Sequence, residues 1–208
     1  MTTIYAAALR NYEAAASVLT ALQSSRIDLL AEARSALVGR PKLALTGGYN
    51  TVTPALGICL PNGTRCDVMA TPDDLRAVEL RGAGQQWMTL ETPLPDSSKL
   101  ASKCFIECNL AAETPLVADV FLRSFDEDGS TEDSGHVEWR IMRDSLSLCS
   151  LPLPQVSDGN TARRIIIHLR QPASRLILGA WRPRWSEQSP RRAGAARPPC
   201  RQRKRSWP

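Results

Sequence analysis

Between Leu43 and Trp181 apolar and polar residues alternate with a period of two, in short runs separated by clusters of Pro, Gly, Asn, Asp and Ser. Ala118, Val120 and Leu122 alternate with Asp119 and Arg123. Val137, Trp139 and Ile141 alternate with Glu138 and Arg140, and Ile165, Ile167 and Leu169 with Arg164 and His168. Successive side chains of a strand point to opposite faces, so each run buries one face and wets the other, the pattern of antiparallel sheets. No long helical period separates the runs, which excludes crossover α/β units. The strand candidates are Ala55–Leu60, Leu75–Arg81, Gln86–Thr92, Lys103–Leu110, Leu116–Phe125, Val137–Arg143, Ser147–Leu151, Arg163–Arg170 and Ser174–Trp181. Residues 40–181 therefore predict a mainly β domain, an antiparallel two-sheet sandwich of jelly-roll size.

The two ends read differently. Residues 3–38 are rich in Ala and Leu and lack Gly and Pro, and Tyr5, Leu9, Tyr12, Ala16, Leu19, Leu22, Leu29, Leu30, Ala33 and Leu37 form a helical stripe. Residues 1–39 are thus expected to form one long helical stem, closed by Gly39 and Pro41. Gln23 and Arg26 interrupt a strict heptad. The stem is expected to pack partly on its own domain or on a neighbour, with a coiled coil and self-association through 3–38 as the minority reading.

Charge is unevenly spread. The chain has 26 basic and 21 acidic side chains; nine of the basic and one of the acidic fall in residues 182–208, leaving 17 against 20 elsewhere. The sandwich is thus mildly acidic, which argues against a nucleic-acid-binding face built into it. Residues 182–208 are dominated by Arg, Pro, Ser, Ala and Gly, with Trp185 and Trp207 isolated, and are expected to be a disordered basic tail. The abrupt change after Trp181 resembles a frame change in GC-rich coding sequence. A tail that binds anionic partners nonspecifically is the competing reading.

The longest uncharged stretch, Leu43 to Thr64, is broken by Gly47, Gly48, Asn50, Pro54, Pro61, Asn62 and Gly63, so no membrane span is expected. The amino terminus has no basic segment ahead of its apolar residues, so no secretory signal is expected. Six cysteines (59, 66, 104, 108, 149 and 200) include no C-x-x-C pair. Cys104, Ile106, Cys108 and Leu110 share one face of a strand and read as buried small hydrophobes rather than metal ligands. A reducing, cytoplasmic setting follows as the default.

Motif searching leaves few candidates for chemistry. Neither G-x-S-x-G nor H-E-x-x-H nor a Walker lysine motif is present, and no catalytic residue or cofactor is assigned. Phe125 to Gly135 is acidic, and Asp126, Asp128 and Glu132 make it a calcium-loop candidate. Gly135 stands where a bidentate Glu belongs, so a solvated hairpin loop is the better reading. Asn62-Gly63 reads as a turn between Ala55–Leu60 and Cys66–Met69. Arg164, His168 and Arg170 form a row on an outer face, able to hydrogen-bond an anionic or sugar ligand. Trp139 reads as core. Trp87 and Trp181 are open between core and ligand platform, and join the row as ligand-binding candidates.

Through Trp87-Met88-Thr89-Leu90, the Cys104–Leu110 strand and the closing pair Arg163–Arg170 and Ser174–Trp181, the stretch from about 86 to 181 resembles the jelly-roll, galactose-binding-like accessory domains of bacterial glycan-handling proteins. That resemblance covers under half the chain and transfers no binding residue. It implies a non-catalytic module that binds carbohydrate or organises a larger polypeptide. The runner-up is a structural or assembly protein that oligomerises through its helix, and an enzyme of unknown class is third.

Overall fold

The computed structural model describes residues 4–24, 28–40, 42–71, 77–82, 85–112, 115–142, 145–155 and 160–187. Two helices, α1 (Ile4–Ser24) and α2 (Leu29–Ala36), precede the strands β1 (Leu43–Thr53), β2 (Leu56–Ala70), β3 (Val78–Gly82), β4 (Trp87–Pro93), β5 (Ala101–Ala112), β6 (Leu116–Asp126), β7 (Thr131–Ile141), β8 (Ser145–Pro152), β9 (Asn160–Arg170) and β10 (Arg175–Glu187). A short 3-10 turn, Asp96–Leu100, joins β4 to β5.

Every ladder is antiparallel, in the order β7-β6-β9-β4-β2-β3-β10-β5-β8, with β1 paired to β2. The fold is the two-layer sandwich the alternation predicts, because β2 belongs to both layers. Its Gly57 to Cys59 pair with β4 and its Cys66 to Ala70 pair with β3. Sheet I is therefore β7-β6-β9-β4 with the first half of β2, and sheet II is β3-β10-β5-β8 with the second half. At the bend, Gly48 pairs with Leu60 and Thr46 with Arg65, so four residues of β2 face one of β1. Gly47 is that residue, and a Cβ there would meet the Pro61 carbonyl oxygen at 2.7 Å. The Asn62-Gly63 pair accordingly lies inside one bent strand, not in a hairpin turn between two, because β1 supplies hydrogen-bonding partners on both sides of the bend.

Between the sheets Ile58, Leu90, Val120, Ile167, Ile106, Leu151, Leu178 and their neighbours form one buried cluster. Each such side chain contributes about 1.5–3 kcal/mol on burial. Cys104, Ile106, Cys108 and Leu110 all point into it, and burial pushes the Cys104 and Cys108 thiols up to about 12.

Three expectations need correction. The stem is not one helix: Asp28 is extended (φ −93°, ψ 92°), and its Oδ1 accepts from the backbone N–H groups of Leu30 and Ala31, both at 3.2 Å. An aspartate gains more from capping a new helix than from sitting inside an old one. α2 then buries Leu29, Leu30, Ala33 and Leu37 against the sandwich. Second, the pattern does not stop at Trp181, because β10 runs to Glu187 beside β5. Pro183 and Trp185 face inward opposite Ile106 and Cys104, and Arg182 and Arg184 face outward, both on Glu107. Period-two order therefore continues through residues whose composition suggested a tail. Among the described residues only β5 pairs with this part of β10, which leaves room for a proline. The rest of the expected tail lies outside the described residues. Third, Trp181 is core.

Candidate functional site

The outward face of sheet I gathers polar and aromatic side chains from several strands. Antiparallel register sets it: Trp87 pairs with Arg170, Thr89 with His168, and Glu91 with Ile166 between β4 and β9. Asp119 pairs with His168, Phe121 with Ile166, and Arg123 with Arg164 between β6 and β9. Their inward neighbours Met88, Leu90, Ile165, Ile167 and Val120 are in the core, so strand alternation sends this whole set outward.

At one end of the face the Arg164 guanidinium lies between two rings, 4.6 Å from the Tyr49 centroid and 5.0 Å from that of Phe125. The Tyr49 ring crosses β2 at Gly57, where any Cβ would run into it. Arg164 also donates from a terminal nitrogen to Glu91 Oε2 at 3.2 Å, and Thr89 Oγ1 donates to Glu91 Oε1 at 2.9 Å. The Glu91 side chain is only 8% exposed although it points away from the core, because these long side chains roof it over. Cys59 shares this niche, and burial and the Glu91 charge raise its thiol above the usual range.

The middle and far end repeat the scheme. Phe121 stacks on His136 with centroids 4.7 Å apart, and Arg123 lies 5.5 Å from the Phe121 centroid while gripping Asp133 with two hydrogen bonds of 2.7 and 2.8 Å. Trp87 lies 5.9 Å from the His168 ring. Arg170 grips Asp119 through Nε at 2.7 Å and through a terminal nitrogen, and this hydrogen-bonding holds the Asp119 carboxyl below the usual carboxylate range. Planar two-point pairing of this kind fixes each guanidinium in orientation as well as position.

Of the sequence candidates, Trp87, Arg164, His168 and Arg170 come together on this face. Trp181 does not: it is 1% exposed, opposite Cys108 on the inner side of β10. A bulge between Leu178 and Ala180 explains the reversal, since one extra residue flips every later side chain to the other face. The acidic loop is the β6–β7 hairpin. The Ser130 hydroxyl donates to Asp126 and the Ser130 backbone N–H to Asp128, so these two carboxylates close the turn, and Glu132 sits opposite Ser124. Among the described residues no group of three His, Cys, Asp or Glu side chains is arranged to hold a metal ion.

Tyr49, Glu91, Asp119, Phe121, Arg123 and Phe125 belong to the face and were not among the ligand-binding candidates of the sequence. Asp119 and Arg123 carried a signal, since they are the polar positions of an alternating strand. Tyr49 carried none, because β1 holds two adjacent glycines and no alternation.

No family model matches the chain, and no curated protein matches it. Solved structures do. The C-terminal family 22 carbohydrate-binding module of Clostridium thermocellum Xyn10B is 8% identical, over 70% of this chain and 86% of that one, with a TM-score of 0.41. The xylan-binding CBM22-1 domain of Paenibacillus barcinonensis Xyn10C is 13% identical, over 69% and 92%, with a TM-score of 0.43. The family 11 carbohydrate-binding module of Clostridium thermocellum Lic26A-Cel5E is 11% identical, over 68% and 97%, with a TM-score of 0.39. No residue is carried from them to this chain.

Proposed function

We propose that this chain is a non-catalytic β-sandwich module that binds a neutral glycan along the outer face of sheet I. One observation supports this above the others: aromatic rings and orientation-fixed Arg–carboxylate pairs alternate along a single face. A sugar ring offers C–H faces that pack on aromatic rings and equatorial hydroxyls that need donors and acceptors in the same plane. Trp87 and Tyr49 supply rings, and Tyr49 is 46% exposed even with Arg164 above it. Arg164, Arg170, Asp119, Glu91 and His168 supply the polar partners. Arg123, Arg164 and Arg170 each have a carboxylate of their own, so the face favours an uncharged ligand.

Isothermal titration against soluble neutral polysaccharides, including xylan and mixed-linkage β-glucan, tests the reading. At least one is expected to bind, and W87A and Y49A are expected to weaken it about tenfold each, the loss of one good aromatic contact. Absence of binding across the panel, or binding unchanged in both variants, overturns it.

A second reading, assembly through the helix, rests on α1. Tyr5, Leu9, Tyr12, Ala16 and Leu19 are spaced alternately four and three residues apart, the spacing of a coiled-coil seam, and all are exposed. Sedimentation that shows only monomer at high concentration removes it.

A further inference from the structure

Helix α1 gives little of itself to the sandwich. Of the side chains described on it, Ala6 and Ala7 are half-buried and all others from Ile4 to Thr20 are exposed. Tyr5 is 83% exposed, Tyr12 72%, Leu19 62% and Leu9 57%. Arg10 and Glu13 are the only charged residues among its 21. Backbone hydrogen bonding alone holds a helix of this length poorly in water, and burial of an apolar face supplies the rest. Here that face is on the outside.

Its area fits a second copy. A covered tyrosine buries about 150–250 Å², so Tyr5, Leu9, Tyr12 and Leu19 with the alanines beside them offer on the order of 600 Å² per chain, or about 1,200 Å² over a pair, the lower end of a stable interface. Side-chain size then selects the orientation. In a parallel pair each layer meets itself, Tyr12 on the partner's Tyr12 and Ala16 on the partner's Ala16, a bump followed by a hole. An antiparallel pair about Ala14, the midpoint of Ile4–Ser24, overlaps the helices along their whole length. Tyr12 then packs on the partner's Ala16 and Leu9 on the partner's Leu19, so the layers even out. The helix ends agree. α1 has no acidic side chain in its first turn and no basic one in its last, which leaves its dipole without side-chain compensation. An antiparallel partner sets the positive end of one helix beside the negative end of the other, whereas a parallel one sets like ends together. The two Glu13 carboxylates approach each other beside the axis, on an exposed flank where salt screens them.

We propose that two copies of this chain pair antiparallel through α1, about a twofold axis at Ala14, and so carry their sandwiches at opposite ends of one helical pair. This rests on the assembly reading of α1 and adds the partner, the stoichiometry and the orientation. Within the chain α1 lies against β10 of sheet II, so pairing leaves the outer face of sheet I open. A dimer built this way is bivalent for whatever that face binds.

The test uses the full chain. Sedimentation equilibrium is expected to give a dimer, and L9A and Y12A, both exposed in the single chain, are expected to weaken it about tenfold each. R140Q, on the outward side of β7, is expected to change nothing. Orientation is read by a spin label at I4C, a position 81% exposed and outside the seam. C200S is the background, and the same protein without I4C supplies the signal of half-buried Cys59, since the other described cysteines are buried. Antiparallel pairing sets the two labels twenty residues apart along the axis, about 30 Å or more at 1.5 Å per residue, whereas parallel pairing sets them within about 20 Å. A dimer with the long distance, weakened by L9A and Y12A, is the expected result. A dimer with the short distance overturns the proposal and leaves assembly through α1 standing. A dimer indifferent to L9A and Y12A, or a higher oligomer, overturns the proposal, and a monomer removes both.

Discussion

Removing the Arg164 side chain is the sharpest probe of how the outer face of sheet I is held together. In R164A two ring contacts vanish, at 4.6 Å over Tyr49 and 5.0 Å over Phe125, together with the 3.2 Å bond to Glu91. Each cation–ring contact at a partly exposed site contributes about 0.5–1 kcal/mol, and a hydrogen bond between charged groups about 1.5–3 kcal/mol. The sum is roughly 2.5–5 kcal/mol, or a melting temperature lower by about 5–20 °C for a chain of this size. Most of it comes from Glu91, whose carboxylate is 8% exposed and would keep only Thr89 as a partner. E91Q removes that charge while leaving an acceptor for Thr89. In the E91Q background R164A is therefore expected to cost about 1–3 kcal/mol less than in the parent. Urea unfolding of the four proteins measures the cycle. A cost for R164A below about 0.5 kcal/mol, or two substitutions that add to within that margin, would refute the claim that this arginine and the buried acid stabilise each other.

Three further outcomes are expected. W181A leaves a hole in the sandwich interior and should cost about 3–5 kcal/mol, while whatever stays folded keeps its glycan affinity; a selective loss of binding with unchanged stability would return Trp181 to the ligand site. D28A removes the cap of α2 and should cost about 0.5–2 kcal/mol by thermal unfolding, more than an exposed surface substitution. Glu79 and Asp119 both have folded-state pKa values below their ordinary 4.5 and 3.8, so their contribution is complete above those values and is lost as pH falls through the folded ones. Melting temperature should thus hold from pH 7 to about 5 and drop below about 4. E79Q should flatten that drop, and an unchanged slope in the variant would dissociate Glu79 from it.

The sandwich was legible because alternation writes burial directly into the chain: Ile165, Ile167 and Leu169 point inward wherever the strand ends up. What alternation cannot write is a bulge or a change of sheet. Trp181 continues the outward series of β10 on paper, and the irregularity between Leu178 and Ala180 turns it inward. β1 was invisible, because Gly47 and Gly48 occupy the bend where a side chain would collide with β2. The extension of β10 was hidden by composition: Arg182 and Arg184 read as tail until Glu107, 75 and 77 residues away in sequence, is seen beneath them. The same distance effect governs the site. Arg164, His168 and Arg170 form a row within one strand and could be picked out. Tyr49, Glu91 and Asp119 reach that row from three other strands.

The two outer faces use one device, the arginine–carboxylate pair, in different arrangements. On sheet I the pairing is one to one: Arg123 with Asp133, Arg164 with Glu91, Arg170 with Asp119. On sheet II Glu79 holds both Arg81 and Arg175 and Glu107 holds both Arg182 and Arg184, while Asp67 holds Lys42 and Asp28 also reaches Arg182. A shared acid fixes two guanidiniums at once, whereas each guanidinium of sheet I is fixed by an acid of its own. Salt acts on long-range charge and scarcely on stacking or on paired groups in contact. Raising ionic strength from 0.02 to 0.5 M should therefore leave glycan binding on sheet I within about twofold. A steep fall would mean that the glycan face draws on long-range charge rather than on stacking and paired groups, and the neutral-ligand reading of sheet I would be wrong.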